Sequence, residues 1–547
     1  MEFSKWSMEP SHLANGHNGL TDCSESLHER TLKEVRNLIG KVKNGSLESL
    51  EMVDTLQRHG ISYNFEKEIK SILREHFTWT CNGRSDSDNL YEIALRFRLL
   101  RQEGYNVPAD VFECFMSQDD NTGKLTFDKK MTEDIIGLTS MYEASLLSID
   151  GEDMLHEAAM FSKNALTASE KLFSSASADT DINGTNSPTL KELVKNTLLN
   201  PFHKSLPRFN SWSSKVYPQG PYEWTEAFRK LAILDSEMVA SINRREAVQV
   251  TRWWKDLGLA KQLNFARDQP LKWYTWSMAV LPDPKLSKER LDITKPIAMV
   301  YIIDDLFDVY GSLDELTLLT EAITRWECME ELPDCMKACF RALDDITNEI
   351  SNNVYMKQGW NPTYLIKQAW KDLCDAFLVE ARWLTSSHFP SAEEYLRNAI
   401  ITSGVHVVFV HLFAHLCEDV TGQDLDMLNR LLAISTPTAK ILRLWDDLGS
   451  ATDENQEGRD GSFLDYYIKE NHNCSMEGAR KHVMEMISDA WRDLNRECLF
   501  SPSVLKLLAE VSLNTARMVP LMYAYDKDGC LPRIQTYMKS LMFNALD

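Results

Sequence analysis

Asp304, Asp305 and Asp308 fall within five positions of one another, at the end of PIAMVYIIDDLFD (residues 296–308). Pro296 to Ile303 carries no charge. Proline suits the first turn of a helix, where its missing N–H would have no partner, so the spacing predicts a helix starting near Pro296. A helix apolar on every side belongs in a protein interior. On it, Asp304 and Asp308 stand four apart and share one face. Carboxylates gathered at the end of a buried helix repel one another and lose hydration. They either protonate or hold cations. Oxygen ligands favour a hard divalent ion such as Mg²⁺, which keeps waters and is shared with substrate phosphates. A solvated acidic helix end is the competing reading.

A second constellation lies in ILRLWDDLGSATDE (residues 441–454). Asp446, Ser450 and Glu454 are spaced i, i+4, i+8, so they line one helix face over about 12 Å of rise. Carboxylate and hydroxyl oxygens again suit Mg²⁺. Arg443 precedes Asp446 by one turn, and Arg459 follows in the loop ENQEGRDGS. Bases beside a metal site suit a substrate that is itself anionic. A solvated acidic face is the alternative here too. Asp344-Asp345 and Asp119-Asp120 are spelled similarly but lack an apolar lead, and they read as surface.

The elements that must position these residues are helical. Leu32, Val35, Leu38, Ile39 and Val42 make one apolar stripe. Leu90, Ile93, Ala94, Phe97 and Leu100 make another, behind a capping Asp88 or Asn89. No convincing run of period-two strands appears. Residues 174–188 read as a polar loop, and Pro201, Pro207, Pro218, Gly220 and Pro221 mark a sharper break. The 547 residues exceed one ordinary domain. They divide into an N-terminal helical domain, 1–215, with no site of its own, and a C-terminal catalytic, metal-binding helical domain, 216–547.

Composition narrows the function. A net charge of −22 offers no basic footprint for nucleic acid. Eleven cysteines without CxxC or Cys/His spacing read as reduced thiols, with neither disulfide framework nor zinc site. No apolar run reaches the roughly 18 residues of a membrane span. The first 25 residues hold one strong base, Lys5, against four acids, unlike an organelle transit peptide. A cytoplasmic location is expected.

DDLFD (304–308) and DDLGSATDE (446–454) together resemble the two metal motifs of class I terpene synthases. RWWKDLGLA (252–260), ARDQPLKWYTW (266–276), FPSAEEYL (389–396) and YAYDKDG (523–529) resemble landmarks of the plant branch, in order. The resemblance covers almost the whole chain. It implies an all-α fold of two helical domains, with the active site in the C-terminal α-barrel. It also implies three Mg²⁺ ions, with Mn²⁺ as a substitute, gripping the diphosphate of a prenyl substrate.

By the same resemblance, Asp304, Asp305, Asp308, Asp446, Ser450 and Glu454 look like the metal set. Arg267 and Arg443 resemble the arginines that take the departing diphosphate. Trp276 resembles the aromatic at the pocket floor, and Tyr523 and Asp528 a lid-side pair. Gln269 departs from the family's Arg-x-Arg, and Cys530 from an aromatic. No tandem arginine followed nine positions on by tryptophan occurs near the N-terminus, and no DxDD motif occurs. A chain-elongating prenyltransferase would want a second aspartate-rich motif, against which Ser450 argues. A silent helical scaffold would have no reason to keep both oxygen-ligand sets beside arginines.

The product group that the motifs resemble most is that of the acyclic alcohols linalool and nerolidol. Gln269 in place of arginine should hold the diphosphate less firmly, favouring early capture of the cation by water. A monomer acting on geranyl or farnesyl diphosphate is expected.

Overall fold

A computed structural model describes residues 22–81, 89–118, 125–175, 188–206, 208, 222–386, 388–417, 425–450, 461–472, 474–523 and 532–543. The chain forms two compact units. One comprises Gly19–Val239 with Cys498–Phe500; the other comprises Ala240–Glu497 with Ser501–Met542. The expected boundary at 215/216 lies outside the described residues.

In the first unit the helices are α1 (Asp22–Ile39), α2 (Leu47–Arg58), α3 (Glu66–Cys81), α4 (Leu90–Gln102), α5 (Ile135–Ser145), α6 (Asp153–Ser175) and α7 (Pro188–Leu199). The stripe on α1 buries Val35 and Ile39, with Leu32, Leu38 and Val42 half-buried against the same core. Asn89 caps α4, accepting from the Tyr91 N–H at 3.0 Å. A two-residue-period pairing does occur: β1 (Met116–Gln118) and β2 (Leu125–Phe127) form a short antiparallel ribbon. Three residues per strand are too few to show alternation. Its buried charges are paired, Arg58 and Arg98 both closing on Asp54 and Glu143.

Helix α8 (Thr225–Leu257) carries the division between the units. Beyond it come α9 (Leu259–Gln262), α10 (Pro270–Val280), α11 (Ser287–Asp305), α12 (Leu313–Arg325), α13 (Asp334–Gln358), α14 (Thr363–Thr385), α15 (Ala392–Thr402), α16 (Val405–Leu416), α17 (Leu425–Ser450), α18 (Phe463–Glu470), α19 (Met476–Leu499), α20 (Lys506–Met522) and α21 (Pro532–Phe543). Helix α10 packs on α11, α11 on α16, α16 on α17 and α17 on α20, which returns to α10. The ring closes, and the helices that carry the chemistry are members of it.

Two expectations need correction. Pro296 is the tenth residue of α11, not its start. The charged stretch before it is helical because its charges find partners inside: buried Arg290 pairs with Glu246 at 2.7 Å. And Ala392–Leu416 is, by length and composition, apolar enough to cross a membrane, though most of it is buried in the fold. It is two helices rather than one span, broken at Gly404, whose φ of 72° needs glycine. A Cβ there would stand 2.4 Å from Val300 Cγ1, so α16 starts in close contact with α11.

Candidate active site

Helix α11 delivers its aspartates from a buried stem. Ala298, Met299, Ile302 and Ile303 are fully buried, as a helix apolar all round requires. The α-helix ends at Asp305, and Leu306–Tyr310 continues as a π-helix. The Gly311 N–H donates to the Leu306 carbonyl at 2.8 Å, closing the wider i→i+5 ring. The simple i, i+4 relation expected of Asp304 and Asp308 is therefore replaced by a wider turn. Asp305 is buried, Asp304 half-buried and Asp308 exposed.

Arg267 meets this end of α11 from the segment before α10. Its backbone N–H donates to Asp305 Oδ2 at 2.7 Å, and its Nε lies 2.7 Å from Asp305 Oδ1. Its guanidinium also pairs with Asp304 and donates to the Tyr301 carbonyl at 3.3 Å. Burial pushes the Asp305 carboxyl up to about 6, against the pull of Arg267. The guanidinium lies 4.8 Å from the centre of the Tyr301 ring. Trp276, buried on α10, donates its indole N–H to the Tyr301 hydroxyl at 3.0 Å. One aromatic ring thus joins the expected floor tryptophan to the expected diphosphate arginine.

On α17, Asp446 and Asp447 diverge. Asp447 is buried, accepts from the Phe463 N–H at 2.9 Å and from the Tyr395 hydroxyl at 3.1 Å, and lies 3.0 Å from Arg443 Nε. Arg443 in turn donates to the Tyr395 hydroxyl and stands 3.7 Å from Asp446. Asp446 is pushed up to about 6 by burial and by the charges of Asp447 and Asp304, with Arg443 and Arg267 opposing. Asp304 and Asp446 therefore repel each other across the ring of helices. That repulsion and the carboxylate oxygens suit a divalent cation, which would offset the charge of Asp304 and Asp446 rather than leave it bare, although among the described residues no three acidic side chains come together closely enough to hold an ion as they stand.

Comparison with known proteins settles the family. The metal-binding domain model of the terpene synthase family matches residues 255–493, and the N-terminal domain model of terpene synthases matches residues 5–198. The chain belongs to the terpene synthase family. It is 48% identical to an (E)-nerolidol synthase of Cannabis sativa over 505 residues, 90% of this chain and 88% of that protein. It is 42% identical to the chloroplastic S-(+)-linalool synthase of Arabidopsis thaliana over 525 residues, 95% and 88%. Isoprene synthase from grey poplar leaves, solved with three Mg²⁺ ions and dimethylallyl-S-thiolodiphosphate, superposes with a TM-score of 0.84 at 30% identity, covering 98% of each chain. This terpene synthase is thus a metal-using lyase of prenyl diphosphates.

Of the residues expected in its site, Arg267, Trp276, Asp304, Asp305, Arg443 and Asp446 are brought together. Tyr523 caps the C-terminus of α20, half-buried. The backbone of Ser450 ends α17; its side chain, like Glu454, Arg459, Asp528 and Cys530, lies outside the described residues, as do Asp119 and Asp120. Asp344 is not simply surface, since it accepts from Trp326 Nε1 at 2.6 Å. Three residues that touch or lie beside the expected ones went unread in the sequence: Tyr301, Lys272 and Tyr395. Tyr395 lies within FPSAEEYL, so the landmark and Arg443 were each visible but not their pairing.

Proposed function

We propose that the enzyme ionises geranyl or farnesyl diphosphate with Mg²⁺ and captures the cation with water, giving linalool or nerolidol, both acyclic tertiary alcohols. The likeness to an (E)-nerolidol synthase and an S-(+)-linalool synthase, over nine-tenths of the chain or more, carries this reading. Asp304, Asp305 and Asp308 on one side and Asp446, Ser450 and Glu454 on the other would hold three ions. Bound there, the ions supply positive charge to a diphosphate as it leaves. Arg267 and Arg443 add fixed cationic donors. Trp276 offers a ring face that can stabilise an allylic cation through its quadrupole. Charge on that cation reaches the tertiary carbon, where water adds. Gln269, buried, with its amide oxygen unpartnered among the described residues, is a neutral acceptor where the family's pattern has an arginine.

Turnover in ¹⁸O-labelled water tests the product. The label should enter an acyclic tertiary alcohol; a cyclic hydrocarbon as main product refutes the reading. Nine free thiols among the described residues suit a reducing compartment. We propose a cytoplasmic monomer, to be checked by a fluorescent fusion and by light scattering.

A further inference from the structure

Lys272 lies on α10, three residues after the N-cap Gln269 and four before Trp276, with which it shares a helix face. Its ammonium stands 6.0 Å from the centre of the Tyr301 ring, which the Arg267 guanidinium also approaches, at 4.8 Å. The two cations share one aromatic ring. Asp446 from one acidic motif and Asp305 from the other both act on the ammonium electrostatically. No hydrogen bond or ion pair engages it among the described residues. Burial and Arg267 lower its pKa to about 8, with the two aspartates opposing, so the charge persists at neutral pH.

A cation held in a protein interior without a paired anion is costly. Against a carbocation it would be repulsive, and this one sits beside Arg267 between two anionic motifs. The ligand that suits such a position is a polyanion. We infer that Lys272 is a diphosphate-binding residue, supplying from one turn further along α10 the cationic contact that Gln269 does not. The contact is displaced rather than lost. The inference rests on the proposed use of a prenyl diphosphate, but it can fail separately from the product reading.

The experiment measures binding of inorganic pyrophosphate with Mg²⁺ to the full chain, by calorimetry, for the unmodified protein, Lys272→Met and Lys272→Arg. Methionine keeps most of the unbranched side chain and removes its charge. We expect Lys272→Met to weaken pyrophosphate binding about tenfold or more, as loss of a charge-assisted contact does. Its melting temperature should be unchanged or higher, because an unpaired, half-buried charge is gone. Lys272→Arg should recover most of the affinity. In turnover, Lys272→Met should raise KM for the prenyl diphosphate. A folded Lys272→Met that binds pyrophosphate within about twofold of the unmodified protein overturns the inference. Should that variant not fold, Lys272→Gln is judged by the same criterion. An affinity loss in a protein whose labelled product is cyclic would refute the product reading and leave Lys272 standing.

Discussion

Arg267 holds Asp305 by both carboxylate oxygens, the backbone N–H on Oδ2 and the guanidinium Nε beside Oδ1, each at 2.7 Å. One aspartate of the three is thereby spent on fixing the arginine. Asp304, half-buried, pairs with the same guanidinium, and Asp308 is exposed. The three aspartates of the motif thus differ in burial and in how firmly Arg267 holds them.

Asp304→Asn removes charge without volume. It should lower kcat by a factor of hundreds or more while the melting temperature holds, since one electrostatic stabiliser is worth about 3–4 kcal/mol in a transition state. Asp344→Asn keeps an acceptor for Trp326 and should leave kcat within about twofold. Steady-state kinetics of both variants decide it; equal behaviour would mean the wrong aspartates were chosen.

Chelation should abolish turnover, and Mg²⁺ should restore it, because without a cation the carboxylates of Asp304 and Asp446 would repel a diphosphate. Diphosphate release that persists undiminished in excess chelator contradicts this.

Tyr395→Phe deletes the hydroxyl that donates to Asp447 and accepts from Arg443. A buried carboxylate losing a donor costs about 1–3 kcal/mol. With Arg443 less firmly placed, kcat should fall about tenfold. Urea denaturation and kinetics read the two effects separately, and an unchanged kcat would show that Arg443 needs no such guide.

Gly404→Ala puts a Cβ 2.4 Å from Val300 Cγ1 at a φ of 72°. Strain and overpacking together should cost about 2–4 kcal/mol. Val300→Ala in the same chain should recover the overpacking share but not the backbone share. Melting curves of the single and double variants measure this, and full recovery would assign the whole cost to Val300.

Burial pushes His411 down to about 4, against the hydrogen bond its Nδ1 makes to the Val407 carbonyl at 2.7 Å. Unfolded histidine titrates near 6.5. Between those values the unfolded chain binds a proton that the folded chain does not. Its contribution is therefore full above about pH 6.5 and is lost as pH falls towards 4. His411→Phe should make unfolding free energy less sensitive to acidification from pH 7 to pH 5, by up to about 2 kcal/mol. The raised carboxyls of Asp305 and Asp446 run the other way, so the comparison is between variant and parent. Parallel pH profiles would refute the assignment.

Much of the site could be read from the chain because its chemistry is local. An uncharged run before Asp304 and a turn-spaced set at Asp446 show charge leaving an apolar stem, and that needs no fold to see. Partners across the fold are different. Tyr395 and Arg443 meet only because α15 and α17 pack together, and no periodicity marks a hydroxyl that will bridge two charges. Lys272 looks like an exposed lysine until α10 is seen in a closed ring. Pro296 misled because Arg290 and Glu246 look solvated when taken one at a time, yet each is the other's solvent.

The π-turn over Leu306–Tyr310 carries one residue more per ring than the helix feeding it. Its spacing therefore stores a phase, not only a set of side chains. Deleting one residue there ahead of Asp308 would let the α-helix run on and swing everything downstream by about 100°, re-aiming Asp308 with every carboxylate still present. Substitution at exposed Val309 leaves that phase untouched. In this segment, the number of residues matters as much as the acids among them.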